Sequence, residues 1–439
     1  LTSYLRLDQE FLLDFFDAPF QFGGFTIANE GDHDQFTQEI KISGTSANEK
    51  IDYVAGFFYF SEENDTDFAQ IFDLGAIGLA PPPGFALFQY DRLLENDTDS
   101  WAVYGQIDWR MSDRTTLTLG ARYTDEEKEI ELTDNGNPLV PATGGAVITT
   151  ADLIAAGVPV EQSESLITPR VSLQFQQSDD VMWYVSATRG FKSGGWNARG
   201  TLAETLQPFS AEKVWNYEGG LRSDWADGRF RLNLTAFTAD VEDFQLPSAF
   251  TDPNGGITFI TRNFADLDIN GVEAEIMALP TDNLTLFANI GVLDSEYTNL
   301  DPSIVAQQAN CQQNGLQCAQ GIVDPNGDIA DPVRAPEYQA ALGGWWTIPL
   351  GADFNLVPRI TATIYGDHNV GTSGVDIGLV DGYTIVNGGI TLENTAGNWT
   401  LSAQCKNCSD RDQVVSVLVF PYIQDPMTWS LTFNKRFGN

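Results

Sequence analysis

The residues of this 439-residue chain that could do chemistry are few in kind: two histidines, four cysteines and a surplus of carboxylates. His33 and His368 stand in separate polar connecting segments, so no histidine pair is at hand to bind a catalytic metal or activate a serine. Adjacent acids such as Glu62/Glu63 and Glu126/Glu127 read as solvated charge rather than as an acid–base dyad, and the chain does not read as an enzyme. The enzyme-class alternative, a hydrolase, has no constellation behind it. The segment Asp324-Pro-Asn-Gly-Asp328, followed by Asp331, has the oxygen spacing of a calcium loop, as do Asn64-Asp-Thr-Asp67 and Asn96-Asp-Thr-Asp99. Calcium takes about six to eight oxygens, which short acidic loops can supply in part. Ca2+ is therefore the one cofactor the sequence suggests, against the plainer reading that Pro-Asn-Gly is turn chemistry. Cys311/Cys318 and Cys405/Cys408 form two close pairs, a pattern that fits local disulfides in an oxidising compartment. A four-thiolate zinc site is the alternative, although the pairs lie far apart and only one has the two-residue spacing of zinc knuckles.

Charge and composition narrow the partners. With 61 acidic against 23 basic residues the formal net charge is −38, which excludes a nucleic-acid partner, since phosphate binding needs clustered Lys and Arg. Aromatic residues make up 12% and charged residues 19%, a rich and a poor share beside an average soluble domain. No run of about 18 uninterrupted apolar residues occurs, so a membrane-spanning chain of this kind must span with strands.

The positioning elements follow from hydrophobic period. From Val181 onward Val181, Trp183, Val185 and Ala187 fall on one face and Tyr184, Ser186 and Thr188 on the other, the signature of a strand with unlike faces. About sixteen such segments can be counted, most of them roughly 9–15 residues long. Their connections alternate between very short (SGTSANEK, MSDR, QQSDD, WADG, LPTDN, PLGAD, NTAGN) and long (9–34, 61–99, 125–165, 190–212, 242–262, 295–335, 367–381, 407–425). An antiparallel meander with every tight turn at one end and every long loop at the other is the topology of an outer-membrane barrel. Trp101 and Trp109 bracket one apolar face as interfacial girdles do, and the last segment carries Met427, Trp429, Leu431, Phe433 and Phe437 in one parity. Leu1 to Leu7 already alternates, which suggests a chain that begins inside a longer protein.

Several blocks resemble the barrel of TonB-dependent outer-membrane receptors: SWAVYGQIDWRMSDRTTLTLGARYTDEEKE (100–129), YVSATRGFKSGGWNARG (184–200), VWNYEGGLRSDWADGRFRLNLTAFTADVEDFQ (214–245) and NGVEAEIMALPTDNLTLFANIGVLDSEY (270–297). The resemblance implies an all-β fold, a transmembrane antiparallel β-barrel of which residues 1–439 supply about sixteen of about 22 strands. By the same resemblance the plug domain, the segment that contacts the TonB complex and the first strands are absent from this sequence. It also implies a receptor in the outer membrane of a Gram-negative bacterium, importing a ferric siderophore or other scarce solute with energy delivered through TonB. Sixteen is also a porin's number, and a passive porin would pair its first and last strands directly. Arg189 shares the parity of Val181 to Ala187, so it should face outward at the membrane's outer edge, where lipopolysaccharide phosphates are its partners; Lys192 and Arg199 follow in the Gly-rich loop. Phe11, Phe15, Phe16, Phe20, Phe22 and Phe25 make one long loop strongly aromatic. Such a patch marks either a contact surface for an apolar ligand or partner protein, with a structural or surface-assembly role as a further reading, or self-packing over the barrel mouth.

Overall fold

The computed structural model describes residues 1–14, 25–73, 86–137, 147–197, 200, 202–251, 257–316, 318, 321–371, 378–417 and 421–437. In chain order these form β1 (Thr2–Asp14), β2 (Phe25–Thr45), β3 (Ile51–Asp73), β4 (Ala86–Ser112), β5 (Thr115–Asp134), α1 (Thr150–Ala155), β6 (Glu161–Ser178), β7 (Val181–Lys192), β8 (Glu212–Trp225), β9 (Phe230–Thr251), β10 (Ile257–Thr281) and β11 (Leu284–Thr298). Then come α2 (Pro302–Asn314), β12 (Tyr338–Trp346), β13 (Ile348–Leu350), β14 (Phe354–Tyr365), β15 (His368–Asn369), β16 (Leu379–Val380), β17 (Tyr383–Asn394), β18 (Trp399–Lys406), β19 (Val414–Val417), β20 (Pro421–Ile423) and β21 (Thr428–Lys435).

Seventeen of the strands make one antiparallel sheet in which each pairs with the next along the chain. β12 and β13 are two pieces of one span, both paired to β14 and broken at Thr347, so the sheet has the sixteen crossings the alternation predicts. The pairs β15–β16 and β19–β20 are separate ribbons in the loops. β1 and β21 do not pair with each other among the described residues, so this sheet is not closed in the way a sixteen-stranded porin requires. Both edges are bare: Leu1 is 84% and Leu431 74% exposed.

The short turns fall at one end and the long connections at the other. Between β8 and β9, Ala226, Asp227 and Gly228 all take positive φ, conformations that Asp and above all Gly adopt at low cost. The strands, however, run well past the predicted 9–15 residues. β4 has 27, and β3 and β4 stay in register from Ser61↔Asp99 to Asp67↔Leu93, a stretch read from sequence as loop. Likewise β9 and β10 reach Thr251 and Ile257. The reason is that a ladder needs only backbone groups: beyond the apolar band the side chains turn acidic, but no Gly or Pro interrupts residues 57–73.

The two faces of the sheet differ as the period requires. Tyr53, Phe57, Trp101, Val103, Ile107 and Trp109 are exposed on one parity, and the same face continues through Trp183, Val185, Ile290, Ile360 and Leu431. Such a face is stable only against hydrocarbon. Aromatic rings cluster at its two borders: Trp101 with Tyr123 at 5.4 Å towards the loops, Phe354, Trp399 and Phe433 at 5.7 and 6.1 Å towards the short turns. The opposite parity is polar and faces the lumen. Neighbouring glycines of β8 separate the two environments. A Cβ at Gly219, on the lipid face, would meet Val185 Cγ1 at 3.6 Å, an ordinary contact, whereas one at Gly220 would meet Tyr184 Cε1 at 2.5 Å and the Leu234 carbonyl at 2.7 Å. Gly219→Ala should therefore leave the urea midpoint of the detergent-solubilised protein unchanged, while Gly220→Val should lower its stability by about 1–3 kcal/mol.

Candidate functional site

The lumen wall is built from paired side chains at fixed cross-strand positions. Tyr104 of β4 donates to Glu39 Oε1 of β2 at 2.6 Å, and Arg122 of β5 lies over the Tyr104 and Phe58 rings at 5.9 and 5.3 Å. A second group repeats the plan: Tyr184 donates to Glu218, and Arg222 donates from Nη2 to the Tyr184 hydroxyl at 2.8 Å while stacking on that ring at 4.9 Å. Charges placed so are satisfied by neighbours and leave a wet, polar interior.

At the long-loop end the connections fold against this inner wall. Ile130 and Leu132 of β5 are buried with Leu153 of α1, Val158 and Leu206. The Gly-rich segment after β7 is docked there by side chains: Gln245 Nε2 donates to the Ser193 and Ser210 carbonyls at 2.9 and 3.0 Å, and Asn197 exchanges hydrogen bonds with the Thr261 backbone at 2.6 and 2.9 Å. Arg92, fully buried, donates from Nη1 to the Gly200 carbonyl at 2.9 Å. This segment is thus a strut between β7, β10 and the loops; Arg189 lies outside on the opposite parity, and Arg199 falls outside the described residues.

A second lobe is built on α2. Asp301 caps it by accepting from Ser303 N, Pro302 opens its first turn and Gly315 closes it in the left-handed region, signals visible in the sequence but not read as a helix there. Ile304 and Cys311 of α2 pack with Leu246, Ala265, Ile322 and Val323, and Tyr297 against this cluster is pushed up to about 12 by burial. Cys311 is bonded to Cys318, with Cα atoms 5.0 Å apart, and Cys405 to Cys408, at 5.5 Å. The pairing is therefore local in both cases, not a four-thiolate cluster.

The calcium-like segment folds as a turn. Asp324 Oδ1 accepts from the backbone of Asn326 and Asp328, both at 2.8 Å, and the Asp324 and Asp328 backbones bond at 2.8 Å. Asp331 does not join them. Among the described residues no three His, Cys, Asp or Glu side chains converge as metal ligands. Asp331 instead lines a cavity of about 500 Å³ with Asp294, Glu337, Asp367, His368 and Asp381. His368 lies beside the stacked Tyr365 and Tyr383 rings, at 6.3 and 6.1 Å, and its Nδ1 is 2.8 Å from the Gly366 carbonyl. The sequence signal for this cavity was absent, because its carboxylates come from the end of β11 and from two separate connections, 299–337 and 366–382. Of the Phe-rich segment, Phe11 is exposed at the open edge of β1 and Phe25 starts β2, while Phe15, Phe16, Phe20 and Phe22 lie outside the described residues.

The outward face of the strand extensions above the apolar band carries a grid of like charges. Asp32, Asp65, Glu95 and Glu131 lie in one cross-strand row, and Asp34, Glu63, Asp97, Glu129 and Glu161 in the next. Partial burial, reinforced by Asp65, Glu131 and Asp97, raises the Glu95 carboxyl, and burial with Asp65 and Asp99 raises Asp97. Like charges directly opposite each other destabilise a ladder.

The chain matches the family model described as TonB dependent receptor-like, beta-barrel over residues 2–408. It is 26% identical over 286 residues to a pesticin receptor of Yersinia enterocolitica, which covers 62% of this chain and 39% of that protein. Among solved structures it resembles the ferric yersiniabactin uptake receptor FyuA of Yersinia pestis, with a TM-score of 0.68 and 17% identity, covering 98% of this chain and 56% of that one. It also resembles the siderophore receptor PiuA of Acinetobacter baumannii, at 0.67 and 14%, covering 99% and 61%. The chain therefore spans roughly two fifths to three fifths of the length of these relatives.

Two outcomes are expected. A carboxyl raised by folding favours the folded state below its ordinary range and opposes it as pH rises through the raised value. Backbone amides of 61–73 and 90–99 should thus exchange more slowly, after correction for intrinsic rates, as pH falls from neutral towards that range. Glu95→Gln with Asp97→Asn should give the same protection at neutral pH. Reduction of Cys311–Cys318 should raise exchange in α2 and 321–330 and leave β6–β8 unaffected, as measured by hydrogen exchange with mass spectrometry.

Proposed function

Because the chain belongs to the TonB-dependent receptor-like β-barrel family and is a β-barrel protein of the Gram-negative outer membrane, we propose that it forms the wall and outer loops of a receptor importing a scarce metal chelate, with a ferric siderophore as the leading substrate class. The observation that carries this reading is the loop end of the barrel, where the end of β11 and the connections 331–337 and 367–381 line an acidic cavity beside the stacked Tyr365 and Tyr383 rings. Such a mouth suits a ligand that brings cationic charge, as a metal complex or an amine does, and disfavours a bare anion. The ferric yersiniabactin uptake receptor FyuA and the siderophore receptor PiuA are described by ligands of this class.

In this reading Asp331, Asp367, Asp381 and His368 take part in first capture. The plug and its contact with the TonB complex come from parts of the receptor outside this sequence, and further strands complete the wall at the open edges of β1 and β21. Bare edges of this length are otherwise an aggregation hazard. A passive pore fits less well, since β1 and β21 do not pair with each other among the described residues.

Uptake of radiolabelled ferric chelates by cells carrying the receptor tests the proposal. Transport should cease when the proton gradient is collapsed. Asp367→Asn with Asp381→Asn should weaken binding of the transported chelate roughly tenfold at unchanged receptor level, the scale of one or two lost charge contacts. Uptake that survives collapse of the gradient would contradict active transport.

A further inference from the structure

The lipid-facing wall is not uniformly covered. One row across β7, β8, β9 and β10 reads Val185, Gly219, Ala236, Val272, so two of its four positions carry almost no side chain. The row nearer the short turns carries Trp183, Leu221 and Leu234. The result is an apolar trough of about 550 Å³ with Gly219 and Ala236 as its floor. Its position inside the apolar band, among exposed Trp183 and Val185, leaves hydrocarbon as its filling, because water there would face no polar partner.

The column above the trough changes character in two steps. Ala187 pairs with Tyr217 and Arg189 with Trp215. Trp215 and Tyr217 stack at 5.8 Å with planes 9° apart, and the Arg189 guanidinium lies 5.9 Å over the Trp215 ring. From Val185 to Arg189 is about 13 Å at 3.3 Å per residue, within reach of the headgroup of a lipid whose acyl chain fills the trough. Arg189 makes no ion pair among the described residues. The acids of its row, Asp240 and Asp268, lie beyond Trp215 on β9 and β10. A guanidinium with no ion pair among the described residues, placed over an indole at the upper border of the apolar band on a face whose rim is mostly acidic, is suited to a phosphate.

We infer that Gly219, Ala236 and Arg189 form a binding site for one phosphorylated, acylated glycolipid of the outer leaflet, its acyl chain in the trough and its phosphate on Arg189. This rests on the outer-wall orientation and not on which solute is transported, so lipid retention and chelate uptake fail independently.

Native mass spectrometry of the receptor purified from outer membranes, challenged with diphosphoryl lipid A, dephosphorylated lipid A or an uncharged diacylglycerol, tests the site. The wild-type protein should retain diphosphoryl lipid A in preference to the other two. Gly219→Leu, which fills the trough, should reduce retention of all three. Arg189→Gln should abolish the preference by weakening the diphosphoryl form roughly tenfold, the scale of one charge-assisted hydrogen bond. Arg189→Lys should restore part of it, which guards against a folding defect. Equal retention of all three lipids by wild type, or retention unchanged in both Gly219→Leu and Arg189→Gln, would overturn the inference.

Discussion

In hydrocarbon no water is available to a backbone N–H or C=O, and the rest of this structure follows from that constraint. A strand that crosses the membrane must give both of its edges to neighbours. The meander answers this with sixteen crossings in which each strand pairs with the next, and every side-chain decision is then made by parity. Residues facing lipid have no partner but hydrocarbon and are apolar, while those facing the lumen are free to be polar, as the Tyr104–Glu39 and Tyr184–Glu218–Arg222 groups show. The constraint ends where the bilayer ends. Above the girdle of Trp101 and Tyr123 the ladder between β3 and β4 continues with carboxylates on the face that was greasy below.

That continuation explains what was legible in the sequence and what was not. The alternation at Val181–Ala187 and the tight turns marked crossings, because the bilayer enforces a strict period of two there. The same period past Ser61 carries acids on both parities, Glu62 and Glu63 in succession, so no hydrophobic contrast remains to display it. The long hairpins were consequently read as loops. α2 lacks a sequence signal for another reason: only Ile304 and Cys311 of its residues are buried, too little for a clear helical stripe, although Asp301, Pro302 and Gly315 mark its ends.

The candidate site was the least legible part. Asp324, Asp328 and Asp331 are close in sequence, yet Asp324 spends an oxygen on two backbone amides while Asp331 turns to a different cavity. The acids of that cavity are brought together by the end of β11 and by the connections following β11 and β14, a convergence that the loop end of the sheet creates. Local spacing announces turn chemistry well and non-local assembly poorly. The cysteine pairs show the contrast, since both bonds close within a few residues.

The central claim is that one parity of each strand meets lipid and the other the lumen. Spin labels attached singly at positions 181–188 of β7, with the receptor in bilayers, test it most directly through their collisions with oxygen dissolved in lipid and with a water-soluble nickel chelate. Labels at Val181, Trp183, Val185 and Ala187 should collide mainly with oxygen, and those at Met182, Tyr184, Ser186 and Thr188 mainly with the chelate. Accessibility without a period of two, or with the parities exchanged, would contradict the account.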